Sequence, residues 1–170
     1  MKQVSASTNP LRLIYKWTLS LAERKLSGLW LALLSFAEAS FFPIPPDVLL
    51  IPLCLGKMKK AFQFALICSI ASVLGGLAGY AIGAFAWDEM SSWFFEYIPG
   101  FTPEKFHRLQ TWYEEWGWPL VFLAGFSPIP YKIFTVASGV LGMALLPFIL
   151  ASAVSRSARF FLVAFLMAKF

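Results

Sequence analysis

The chain has 170 residues, of which 59% are hydrophobic and only 14% charged, with a net charge of +5 and a mean hydropathy of +0.69. Soluble domains carry about 25% charged and about 45–50% apolar residues, so a water-soluble monomer, a disordered chain and a disulfide-stapled mini-protein are excluded. Cys54 and Cys68 stand apart in apolar runs without metal-ligand spacing, and His107 has no partner motif, which leaves no basis for a metal, a cofactor or a cysteine–histidine nucleophile.

In chain order, residues 1–8 are polar, and Asn9-Pro10 looks like a helix start. Ile14, Trp17 and Leu21 share one face, while Arg12, Lys16, Glu23, Arg24 and Lys25 take much of the rest. This predicts an amphipathic helix over 10–27 lying on the membrane surface, within an N-terminal segment 1–27. No short apolar core followed by a small-x-small site is present, so no cleavage is expected. Residues 28–170 are expected to form one all-α membrane domain.

The first apolar segment, 28–56, contains Glu38 and is broken by Phe42-Pro43-Ile44-Pro45-Pro46-Asp47. Pro43, Pro45 and Pro46 remove backbone donors and disfavour helix in the residues before them. Each half is about 14–21 Å of helix at about 1.5 Å per residue, too short for a hydrocarbon core of about 30 Å. The expectation is a re-entrant hairpin, with one kinked spanning helix as the alternative.

Lys57, Lys59 and Lys60 close that segment, and 61–87 is a charge-free run of spanning length. Gly75, Gly79 and Gly83 recur every fourth residue and predict a groove for close helix approach. The interval 88–117 carries Asp88, Glu89, Glu96, Glu104, Glu114 and Glu115 against Lys105 and Arg108. Within it Thr102-Pro103-Glu104 is a good helix start, and Gly117 is expected to end a second interfacial helix. Segment 118–143 is broken by Ser127-Pro128-Ile129-Pro130-Tyr131-Lys132, predicting a second hairpin. Segment 144–170 is a last spanning helix interrupted by Arg156 and Arg159.

Pro43-Ile44-Pro45 and Pro128-Ile129-Pro130 thus occupy matched places in two copies of broken segment plus spanning segment. A hairpin returns to its own side and a single span does not, so the second copy arrives from the opposite face. That is an inverted repeat, with the site expected near the midplane. The basic residues of 1–27 and 57–60, set against the acids of 88–117, place the N-terminus in the cytoplasm.

Glu38, Asp47, Lys132, Arg156 and Arg159 are the ionisable residues within the apolar segments. An isolated charge at the membrane centre costs at least about 2.5–3.5 kcal/mol, so such residues pair or line a wet cavity. Two readings stay open. In one, a polar cavity binds an anionic headgroup on its basic residues and a proton on Glu38. In the other, internal ion pairs only fix the hairpins. A tip from each side places Glu38 and Asp47 near Lys132, with Pro43, Pro45, Pro46, Pro128 and Pro130 expected to free backbone groups toward a ligand.

Several of these features resemble one family. They are Glu38 upstream of the first proline tip, Gly75-Gly76, Gly79-Tyr80, Gly83, the amphipathic stretch ending in Gly117, the second tip, and Ser138-Gly139 with Met143 and Phe148. Together they resemble the DedA family of bacterial membrane proteins, part of the wider VTT-domain or SNARE-associated Golgi protein family. The tip variant Ser127-Pro128-Ile129-Pro130-Tyr131-Lys132 is most similar to the YqaA branch. The resemblance implies two facing re-entrant hairpins in an inner membrane and movement of lipid between leaflets, by flippase- or scramblase-like activity. Undecaprenyl phosphate is the implied lipid-linked anion. Family-important acids match Glu38 and Asp47. The arginines usual around the second tip are absent, with Lys132 the nearest basic match. The expected partners are a phospholipid or polyprenyl phosphate, with protons and a second copy of the chain as further candidates and no nucleic acid. Alternatives to a lipid transporter are a proton-coupled transporter of a small solute or ion and a non-transporting membrane scaffold. An enzyme is the class least supported.

Overall fold

A computed structural model describes residues 26–40, 44–97, 99, 102–127 and 129–169. The amphipathic helix expected over 10–27 lies almost wholly outside them, as do Pro43 and Pro128. The described residues are helical, without strands: α1 (Ser27–Ser40), α2 (Asp47–Gly56), a 3-10 turn (Met58–Lys60), α3 (Ala61–Tyr97), α4 (Pro103–Phe126), α5 (Tyr131–Val140) and α6 (Leu145–Lys169).

The prolines act as expected on the local backbone. α1 and α2 are separate short helices, and Pro45 and Pro46 lie between them. α5 begins directly after Pro130. Among the described residues two helical stretches are long and apolar enough to cross a membrane, Met58–Tyr97 and Leu145–Lys169. α1, with 14 residues, and α2, with 10, reach only about 21 and 15 Å at about 1.5 Å per residue.

Three boundaries differ from the sequence expectation. α1 already begins at Ser27, one residue before the glycine expected to separate the segments. α3 does not stop at 87 but continues through Asp88 and Glu89 to Tyr97. Charged residues end the apolar run without breaking the helix, because Glu is a good helix former and Asp costs at most about 0.7 kcal/mol in a helix interior. α4 starts at Thr102-Pro103 as read, where the Thr102 hydroxyl accepts from the Lys105 amide. It then runs past Gly117 to Phe126. One interior glycine costs only about 1 kcal/mol, and here it is useful, since a methyl at Gly117 would press on the Tyr113 ring at 2.7 Å.

α1 and α5 both pack on α3, α3 packs on α6, and α2 and α4 lie against α6. The glycines of α3 set the spacing. At Gly75 a methyl would overlap the Phe36 backbone of α1. At Gly79 it would meet Thr135 of α5, with Ala39 of α1 just beyond, and at Gly83 the Val136 backbone of α5. One small-residue stripe therefore seats two helices in succession. Serine hydroxyls stitch the seam: Ser35 donates to the Cys68 carbonyl at 2.9 Å, and Ser40 reaches the Phe36 and Gly75 carbonyls, each at 2.9 Å. α5 ends in a glycine turn, with Gly142 at φ 67°. The Gly142 amide bonds the Gly139 carbonyl, and the Met143 amide bonds Ser138.

Outward faces are apolar. Phe62, Leu66, Ile70 and Leu74 form a stripe along α3, each about half exposed, and Leu146, Leu150 and Val154 do the same on α6. Soluble monomers rarely expose apolar patches this continuous; in a bilayer they face lipid. Inside, one apolar core gathers Leu31, Leu50, Cys68, Phe160 and Ala164, and a second gathers Ala39, Val121, Tyr131, Phe148 and Ala151.

The glycine contacts yield a direct comparison. Gly139→Ala drives a methyl into the Tyr80 backbone, whereas a methyl at Gly56 meets open space. Overpacking of this kind costs about 1–3 kcal/mol. Gly139→Ala should lower the thermal midpoint in detergent measurably, and Gly56→Ala should leave it near the parent's.

Candidate functional site

Along α6 the two apolar cores are separated by a polar stripe. Ser152, Ser155, Arg156 and Arg159 fall between Ala151 of one core and Phe160 of the other. Their spacing puts them on neighbouring rows of one helix side. This side faces inward: Arg156 is 1% exposed.

Arg156 is held from several elements. Its Nη2 donates to Glu38 Oε2 of α1 at 2.6 Å, and its Nε donates to Ser72 Oγ of α3 at 2.5 Å. Its guanidinium carbon lies 4.8 Å from the ring centroids of both Tyr131, which opens α5, and Phe160, within cation–π range. Glu38 lies in the last turn of α1, where the negative end of the helix dipole disfavours a carboxylate. The guanidinium offsets both that and the loss of water.

Arg159 holds the two proline breaks. Its Nη2 donates to Asp47 Oδ2 at 2.5 Å, and its Nη1 donates to the Ser127 carbonyl at 3.0 Å. Asp47 opens α2, where a carboxylate favours the helix dipole. Ser127 follows the last residue of α4. One planar side chain thus bridges the turn before α2 and the turn after α4, the fork geometry in which arginine exceeds lysine. The layer also holds a buried carboxylate oxygen without a hydrogen-bond partner among the described residues, Asp47 Oδ1.

The tips were expected to bring the carboxylates near Lys132; their ion-pair partners are Arg156 and Arg159 of α6. The expectation treated the facing tips as the nearest neighbours. α6 packs against α2 and α4 and presents both guanidinium groups to the broken segments. Lys132, the second residue of α5, lies on another face and lines a cavity of about 750 Å³ walled largely by Trp87, Met90, Phe106, Ile133 and Val140. Pro45, Pro46 and Pro130 flank the short helices as described. Gly75, Gly79 and Gly83 shape the α3 seam.

Ser72 was missed in the sequence, although it lies three and four residues before Gly75 and Gly76 and so continues the small-residue stripe. Tyr131 and the Ser127 carbonyl were also missed, because a ring under a cation and a main-chain acceptor leave no compositional trace.

With this geometry in place, the comparisons are direct. Residues 39–169 match the VTT domain, and the chain belongs to that family, the domain of DedA-type membrane proteins. An uncharacterised protein of Haemophilus influenzae is 46% identical over 155 residues, covering 91% of this chain and 79% of that protein. An uncharacterised protein of Histophilus somni is likewise 46% identical over 155 residues, covering 91% of this chain and 80% of that one. No solved structure matches.

The Arg159 bridge makes a prediction. Arg159→Lys keeps a cation for Asp47 but cannot reach two acceptors in one plane. It should cost about 1 kcal/mol, one ordinary hydrogen bond. Arg159→Ala, which leaves Asp47 uncompensated, should cost at least twice that. Thermal unfolding of both variants in one detergent checks the order.

Proposed function

We propose that the chain moves a lipid or lipid-linked anion between the leaflets of a bacterial cytoplasmic membrane, with polyprenyl phosphate among the candidate cargoes. The observation that carries this reading is the arginine layer. Two guanidinium groups in the middle of an apolar helix bind carboxylates from both halves of a proline-broken segment and a carbonyl at the second break. Such intramembrane charges mark substrate or ion pathways by default, and broken helices meeting at mid-membrane are the plan of many transporters.

In this reading α1 with α2 is one re-entrant hairpin, and the end of α4 with α5 is the other. The packing supports an inverted repeat: α5 of the second half lies on α3, the long helix of the first, while α2 of the first lies on α6, the long helix of the second. Lys57, Lys59 and Lys60 then face the cytoplasm, with the acids near Tyr97 and Pro103 on the far side. The tip sequence from Ser127 to Lys132 favours the YqaA branch.

Chemically, an incoming phosphate competes with Glu38 and Asp47 for the guanidinium groups. A proton taken up by a displaced carboxylate keeps the layer close to neutral. Anion and proton are then linked, and each changes the other's affinity by the same factor.

Flux of a fluorescent anionic phospholipid in proteoliposomes tests this. The parent should move it, and Glu38→Gln should lower the rate about tenfold or more, in keeping with a lost charged hydrogen bond of about 1.5–3 kcal/mol, and remove its pH dependence. Folded parent protein without lipid flux, but with proton-dependent uptake of a small solute, would instead support the solute transporter. A parent with neither flux would support a scaffold.

A further inference from the structure

We propose that the cavity between the far part of α3, the start of α4 and α5 is a separate binding site for a phosphate-bearing lipid, with one hydrocarbon chain in the cavity and the phosphate on Lys132. The inference rests on the lipid reading above for the class of ligand, but not on transport.

The cavity, about 750 Å³, falls within the usual range of about 300–1,000 Å³ for small-molecule sites. Its wall is hydrocarbon and aromatic ring, including Trp87 stacked on Phe106 at 4.3 Å between centroids. A soluble ligand gains little from such a wall, whereas a lipid chain is matched to it.

Among the described residues, Ser40 and Lys132 are the hydroxyl and charged side chains that line it. The Ser40 hydroxyl is already engaged with the Phe36 and Gly75 carbonyls. Lys132 differs from the other intramembrane cations. Arg156 and Arg159 each hold a carboxylate, but among the described residues no carboxylate lies within salt-bridge distance of Lys132. It is also only partly exposed. An unpaired cation inside a membrane domain is costly, and nothing in the cavity wall offsets it. A ligand that brings an anion and an apolar chain together supplies both missing partners. In a bilayer that ligand is a phospholipid. The ammonium is a point charge and does not fork onto two oxygens, so it suits a phosphate at the cavity mouth whose other oxygens stay hydrated.

Trp87 provides the readout. Purified full-length protein in detergent is titrated with phosphatidic acid carrying brominated acyl chains, which quench tryptophan on contact, and with brominated diacylglycerol, which lacks the phosphate. The parent should show saturable quenching by brominated phosphatidic acid, and Trp87→Phe should remove most of that component. Lys132→Ala should weaken phosphatidic acid about tenfold, the loss expected for a charged hydrogen bond, and leave diacylglycerol unchanged; Lys132→Arg should restore it. Lys132 is partly exposed, and an unchanged thermal midpoint in Lys132→Ala verifies folding. Ala137→Leu, which narrows the cavity without touching the charge, should weaken both lipids and provides a second route if Lys132→Ala does not fold. Equal phosphatidic acid affinity in parent and Lys132→Ala would overturn the proposal, as would quenching that survives in Trp87→Phe. Displacement by glycerol 3-phosphate at concentrations similar to the lipid's would also overturn it, because the site would then be one for soluble phosphates. Binding at Trp87 without flux would contradict transport alone; flux without binding at Trp87 would contradict this site alone.

Discussion

The pairing of Arg156 with Glu38 is the constraint around which the structure is arranged. A guanidinium that is 1% exposed inside an apolar bundle requires a carboxylate, a hydroxyl and rings close by, and they come from α1, α3, α5 and α6 itself. Bringing those parts together needs a short first helix that ends inside the bundle, an α3 seam bare enough to seat it, and a second short helix that places Tyr131 against the cation. Glycine at 75, 79 and 83 and the proline breaks are conditions for that meeting. A buried pair of this kind adds little stability over a well-packed apolar replacement, but losing one partner is expensive. Its value lies in specifying where four elements meet, and in keeping a polar layer between two apolar cores.

Much of this was legible in the sequence, and particular residues show why. The proline clusters at 43–46 and 128–130 disfavour helix whatever surrounds them, so α2 and α5 could be anticipated as short elements. Thr102-Pro103 fixed the start of α4 through one hydroxyl and one ring. Glu38, Asp47, Arg156 and Arg159 were conspicuous because charge is costly within apolar segments. Less was legible wherever tertiary packing overrode local preference. Gly117 looked like a terminus, yet α4 continues through it, and the Tyr113 ring takes the space that a side chain there would need. The pairing of the charges could not be read at all, since it depends on α6 packing against α2 and α4, a relation with no local signature. The amphipathic N-terminal pattern falls outside the described residues.

Two kinds of cation therefore serve different ends in one small domain. The arginines are engaged, planar and buried, and they organise the breaks. Among the described residues no carboxylate pairs with Lys132, which lines a largely hydrocarbon cavity. In the reading proposed above, the combination suits an amphiphile, with its anion on Lys132 and its chain in the cavity.

The central claim is that Glu38 and Arg156 act as one energetic unit at the meeting of four helices. A double-mutant cycle with Glu38→Met and Arg156→Met, read as unfolding free energy in detergent, tests it most directly. Each single change should cost about 3–5 kcal/mol, because each strands a buried charge. The double change should cost less than the sum by about 2 kcal/mol or more, since it strands none. Additive losses within about 0.5 kcal/mol would mean that the two residues act independently, and the account given for the polar layer would be wrong.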